Sequence, residues 1–269
     1  MTEEVIIAFL FTLFAGLATG IGSLLAFFAK TTNTKFLSFA LGFSAGVMIY
    51  VSMVEIFVKA QDALIGELGD KGGSWLTAGS FFAGMLLIAL IDRFIPSQSN
   101  PHELKKVEDM KNPGKVVDNP DLMKMGIFAA LAIGIHNFPE GIATFASTIQ
   151  DPALGFAIAV AIAIHNIPEG IAVSVPVYYA TNDKKKAFKL SFLSGLAEPV
   201  GALFAFLILM PFLNDVVFGV IFAAVAGIMV FISLDELLPA AKRYDEAHMS
   251  IYGLIGGMVL MAISLLLFI

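Results

Sequence analysis

The chain has 269 residues, 58% of them hydrophobic and only 14% charged, with a formal net charge of −6. Soluble domains run at roughly 45–50% apolar and about 25% charged, so a mean hydropathy of +0.87 leaves too little polar surface for a water-soluble core. The acidic balance argues against nucleic acid as a partner, and the absence of cysteine excludes a disulfide framework and thiolate metal ligands.

The chain opens MTEEVIIAFLF, acidic ahead of its first apolar run, unlike the basic start of a cleaved signal peptide. That first segment is therefore expected to stay in the mature chain. Crossing about 30 Å of hydrocarbon takes about 20 apolar residues in helix. Eight segments qualify, at 5–29, 36–57, 75–95, 125–148, 153–180, 188–213, 216–238 and 251–269. Most breaks between them are short and carry Pro, Gly, Asn or Lys. The exception is a polar, Pro-rich loop at about 96–124, which interrupts one membrane domain spanning 1–269.

Orientation follows from the sixteen Lys and Arg. Odd-numbered loops hold Lys30 and Lys35; Arg93, Lys105, Lys106, Lys111, Lys115 and Lys124; Lys184, Lys185, Lys186 and Lys189; and Lys242 and Arg243. Even-numbered loops hold only Lys59 and Lys71. The positive-inside rule places the odd loops in the cytoplasm and both termini outside. The expected fold class is an all-α integral membrane protein of eight transmembrane helices in the cell (plasma) membrane, with the bilayer as its partner.

Ionisable side chains inside a bilayer cost about 2.5–3.5 kcal/mol each on insertion scales, so each needs a reason. Here they cluster. The fourth segment contains IGIHNFPEGIATF and the fifth AIAIHNIPEGIAV, a repeat that places His136, Asn137 and Glu140 in one span and His165, Asn166 and Glu169 in the next. The sixth segment adds Glu198, beside Pro199. On a helix turning about 100° per residue, the His lies roughly 40° to one side of the Glu and the Asn about 60° to the other. Two such helices face to face can hold one ion between their His/Glu sides and a second between their Asn/Glu sides, with both glutamates shared.

Pro139 and Pro168 free the carbonyls of Ile135 and Ile164, and backbone freed at membrane depth belongs beside a cavity. Gly141 and Gly170 permit close approach of a neighbouring helix. Interhelical polar glue would explain a lone Asn, but not three acids and two His in adjacent spans. Imidazole and carboxylate without thiolate suit Zn²⁺, Fe²⁺, Mn²⁺ or Co²⁺ as a transported or bound ion, and no resident cofactor is expected.

At these residues the sequence resembles the ZIP family of divalent-metal transporters, and within it the bacterial zinc-uptake permeases. HNFPEGIATF, HNIPEGIAV, SGLAEP, LGFSAGVM and AVAGIMVFISLDELLP all fit that branch. The resemblance covers essentially the whole chain. It implies eight helices, outside termini, a long cytoplasmic third loop and uptake toward the cytosol. It implies a first ion site of His136, Glu140, His165 and Glu169, and a second of Asn137, Glu140, Asn166, Glu169 and Glu198. Met48 matches a second-span methionine that the family places near the first site.

Other polar residues weigh less. Glu55 lies seven positions after Met48 and is read either as an acid leading ions inward or as an interfacial acid. Asp235 and Glu236 sit near the cytoplasmic end of the seventh span, as an exit vestibule or as solvated helix-end acids. Asp92 and Arg93 are expected to snorkel at the interface, and His102 and His248 to lie at the surface. An enzyme is not expected: the H-E-x-x-H signature of a membrane metalloprotease is absent, as is the P-loop of an ATP-driven pump. A sensor that binds metal without moving it is separable only by flux. The assembly, a homodimer among the options, is not fixed by the sequence.

Overall fold

The computed structural model describes residues 3–28, 34–94, 120–212, 214–243 and 248–266. Most of the polar loop expected at 96–124, with His102, lies outside these residues. The helices are α1 (Glu3–Phe28), α2 (Thr34–Val51), α3 (Phe57–Phe94), α4 (Pro120–Gln150), α5 (Pro152–Thr181), α6 (Lys184–Gly195), α7 (Ala197–Phe204), α8 (Asp215–Ile232), α9 (Leu238–Arg243) and α10 (Met249–Leu266). Turns of π-helix join α2 to α3 (Ser52–Ile56), follow α7 (Ala205–Leu209) and join α8 to α9 (Ser233–Leu237). No strand occurs among the described residues.

Short polar caps set the corners. The Asp151 carboxylate accepts from the Ala153 amide at 2.9 Å, and Pro152 opens α5 without an amide to satisfy. Asn182, at φ 51°, ends α5, and Asp183 caps α6 through the amides of Lys185 and Lys186. The α4–α5 and α5–α6 connections are therefore one and two residues long, which makes these helices antiparallel neighbours.

Six helical stretches among the described residues are long and apolar enough to cross a membrane, and α4, with His136, Asn137, Pro139 and Glu140 at its centre, stands outside that set. One of the six, Ser38–Arg93, runs 56 residues, whereas about 20 span a bilayer. The break expected at 58–74 is helical nearly throughout. The chain instead turns at Gly69 (φ 73°, ψ 166°), a conformation open essentially to glycine alone. A Cβ on Gly73 would meet the backbone of Leu64 and Ile65, so the two arms of this helix fold back on each other. Trp75, 73% exposed, stands beside the bend as interfacial tryptophans do.

The helices pack as two bundles. One joins α1, α4, α5, α6 and α7; the other joins α2, α3, α8, α9 and α10. They meet mainly where α2 packs on α5 and α4 on α8. Large apolar side chains face outward along the spans, among them Phe14 and Ile21 of α1, Phe82 and Leu86 of α3, and Ile255 and Val259 of α10. Apolar faces this extensive belong against lipid. The chain is an all-helical membrane protein.

Candidate metal centre

Asp151 is the only residue between α4 and α5, and the two H-N-x-P-E-G motifs lie at similar distances on either side of it. The motifs therefore meet at one depth. His136, Asn137, Glu140, His165, Asn166, Glu169 and Glu198 are each no more than 2% exposed. Pro139 and Pro168 lie inside helices that continue through them. The break falls in the sixth span, at Leu196, between α6 and α7. Pro199 explains it: it cannot donate to the Gly195 carbonyl and its ring presses on that turn.

The imidazoles and carboxylates pair crosswise. His136 Nε2 lies 3.2 Å from Glu169 Oε1, and His165 Nε2 lies 3.3 Å from Glu140 Oε1. Each histidine thus faces the glutamate of the other helix. No Lys or Arg takes part in either pair. Among the described residues no three His, Asp or Glu side chains converge as a ready metal cluster, so the order here is pairwise.

Glu198 is placed by glycine. A Cβ on Gly141 would strike the Glu198 carbonyl, and one on Gly201 would strike the Phe138 carbonyl, so α4 and α7 touch backbone to backbone. The third carboxylate is thereby set beside Glu140. The amide NH₂ of Asn166 donates to Glu198 Oε1 and, at 2.9 Å, to the Ala15 carbonyl of α1. Asn137 donates to the Ser194 carbonyl of α6 at 3.3 Å. These two backbone acceptors were invisible to motif reasoning. The available signal was the small-residue pattern Gly16, Gly20, Gly22 on α1.

Both asparagine oxygens, both Glu169 oxygens, Glu140 Oε1 and Glu198 Oε2 are buried without a hydrogen-bond partner. Buried acceptors are ordinarily satisfied, and unpartnered oxygens beside imidazoles are the donor types that a divalent cation takes as substrate. Met48 is fully buried on α2, in an apolar cluster with Leu41, Val51, Ile158 and Ile162. The remaining acids divide. Asp235 is exposed, whereas Glu236, next to it on a π-helical turn, is 7% exposed and interacts electrostatically with His136 and Glu169. Glu55 is half-buried, with its Oε1 3.9 Å from Lys59 Nζ and Asp151 close enough to act on it. Arg93 and His248 are exposed and Asp92 is half-buried, in keeping with surface or interfacial positions.

A family model for ZIP zinc transporters matches residues 97–265. The chain is 75% identical to the zinc transporter ZupT of Oceanobacillus iheyensis over 265 residues, covering 98% of this chain and 99% of that one. It is 72% identical to the ZupT of Lysinibacillus sphaericus over 267 residues, 99% of each chain. To the ZupT of Streptococcus mutans it is 62% identical over 270 residues, the full length of both. Seven buried polar groups on adjacent apolar helices are thus found in a sequence whose relatives are zinc transporters along their entire length. The chain belongs to the ZIP family of zinc transporters, as a multi-pass plasma-membrane protein of the ZupT type.

Proposed function

We propose that this protein takes up zinc into the cytoplasm through a two-site centre, and that Fe²⁺, Mn²⁺ and Co²⁺ fit the same ligands. The first site uses His136, Glu140, His165 and Glu169, with Met48 presented from α2. The second uses Asn137, Glu140, Asn166, Glu169 and Glu198. The chain crosses the membrane eight times with both termini outside: Ser38–Arg93 counts as two spans hinged at Gly69, and α4 is a further span.

The observation that carries this reading is the crossed pairing of His136 with Glu169 and His165 with Glu140 at full burial. A divalent cation arriving between α4 and α5 supplies the charge that the two glutamates otherwise draw from the histidines. The imidazoles then turn from ion-pair partners into neutral nitrogen ligands, and any proton they hold leaves. The second set offers only oxygen atoms, so it holds an ion through carboxylates and amide oxygens alone. Access alternates by displacement of the bundle holding α4, α5 and α7 against the bundle holding α2, α3 and α8, whose mutual contacts are confined to a few helix pairs.

The test is zinc uptake into cells expressing Glu140→Ala or Glu169→Ala at equal membrane abundance. Uptake should fall at least tenfold. Uptake near the unsubstituted level would remove the site assignment, and zinc bound without flux in proteoliposomes would make the protein a sensor.

A further inference from the structure

A helix that bears none of the proposed ligands, α1, constrains one of them. Asn166 spends both amide hydrogens: one on Glu198 Oε1, the other on the Ala15 carbonyl at 2.9 Å. Its oxygen is left fully buried and without a donor. An amide held by both hydrogens cannot flip, so Asn166 is locked with its oxygen as the free, buried acceptor. Without the Ala15 carbonyl the amide would be held only by Glu198 Oε1, the bond that an ion drawing on Glu198 disturbs, and an NH₂ group turned to a cation repels it.

The Ala15 carbonyl reaches Asn166 because α1 lies unusually close to α5 and α6. A Cβ on Gly16 would strike the Gly195 carbonyl, and one on Gly195 would strike the Gly16 carbonyl. On the α5 side, a Cβ on Gly22 would strike the Ile167 carbonyl and one on Gly170 the Thr19 carbonyl. These contacts bracket Asn166 and Glu198 within a few residues in sequence. They meet backbone, which cannot swing aside as a side chain does.

We propose that α1 is the positioning element of the second ion site, with the Ala15 carbonyl, held in place by the Gly16–Gly195 contact, holding the NH₂ of Asn166 so that its oxygen stays free for the ion. This rests on the two-site reading above. Groups that orient metal ligands change affinity by about 10–100-fold when disturbed. A substitution at Gly16, on a helix without ligands, should therefore weaken the second ion selectively. Gly20 supplies the control on the same helix, since the nearest atoms to a Cβ there belong to the rings of Phe192 and Phe188 and not to backbone.

The experiment is equilibrium zinc binding to the purified full-length protein, with stoichiometry and both affinities measured beside the melting temperature. Gly16→Ala should weaken one of the two affinities about tenfold or more and leave the other within about twofold. Gly20→Ala should leave both within about twofold. Adding Asn166→Asp to Gly16→Ala should restore the second ion in part, because a carboxylate presents an oxygen whichever way it turns. Unchanged affinities in Gly16→Ala, or loss of both in step with the melting temperature, overturn the positioning role and leave the two-site reading standing. Saturation of the unsubstituted protein at one zinc overturns both.

Discussion

His136 of α4 faces Glu169 of α5 at 3.2 Å, and the same relationship recurs in reverse between His165 and Glu140 at 3.3 Å. Breaking one buried pair by removing a single partner strands a charge, at a cost of about 3–5 kcal/mol, whereas neutralising both partners costs far less. His136→Ala should accordingly lower stability markedly, and the double variant His136→Gln with Glu169→Gln should recover most of the loss. Both should be poor in zinc uptake, since each lacks a proposed ligand. Thermal melts in detergent read the first effect and uptake the second. Equal melting temperatures for the single and double variants would contradict the pairing.

The same pairs predict proton release. Metal ligands must be deprotonated, so zinc displaces whatever protons the imidazoles and carboxylates hold. More of the imidazole and carboxylate is protonated at low pH. Zinc added to purified protein in weak buffer should release more protons at pH 6 than at pH 8, and zinc affinity should fall as the pH is lowered. Release that does not change with pH would mean that the ion is held without the histidines.

Much of this buried polar group was legible in the sequence because polar residues at membrane depth are costly and therefore conspicuous. His136, Asn137, Glu140 and their counterparts stand out of apolar runs without any structure. The bend at Gly69 was harder to see. Residues 58–74 are polar enough to suggest a loop, yet Ala60, Gln61, Ala63, Leu64, Glu67 and Leu68 are good helix formers, so the break contracts to Gly69. Glu236 was undervalued for a different reason. A π-helical turn shifts every following side chain around the axis, so periodicity does not say that Glu236 turns inward while Asp235 turns out. The roles of Ala15 and Ser194 depend on carbonyls alone, which no side-chain pattern reports.

The orientation of the chain is open to direct measurement because the natural sequence has no cysteine to remove. Lys71→Cys, at the bend of α3, should react with a membrane-impermeant maleimide on intact cells. Lys185→Cys, at the start of α6, should react only after the membrane is opened. Both positions are exposed, so access is decided by the side of the membrane. The reverse labelling would invert the topology, and labelling of both from outside would remove one of the crossings between them.

Glu236 and Asp235 make the last prediction, since adjacency in sequence would ordinarily assign them one role. Asp235 is exposed, and a carboxylate in contact with solvent is easily replaced. Glu236 is 7% exposed and acts electrostatically on His136 and Glu169, the members of one crossed pair. It also belongs to the other bundle, on the turn joining α8 to α9, a turn that packs on α2. A carboxylate contributed by the second bundle to a site carried by the first is placed to draw the ion across the boundary between them. Glu236→Gln keeps the shape and removes the charge, so zinc uptake should fall several-fold with little change in melting temperature. Asp235→Asn should leave uptake within about twofold, in line with ordinary surface substitutions. Uptake rates at matched membrane abundance decide it: equal effects at both positions would mean that the two acids act only as a shared negative surface.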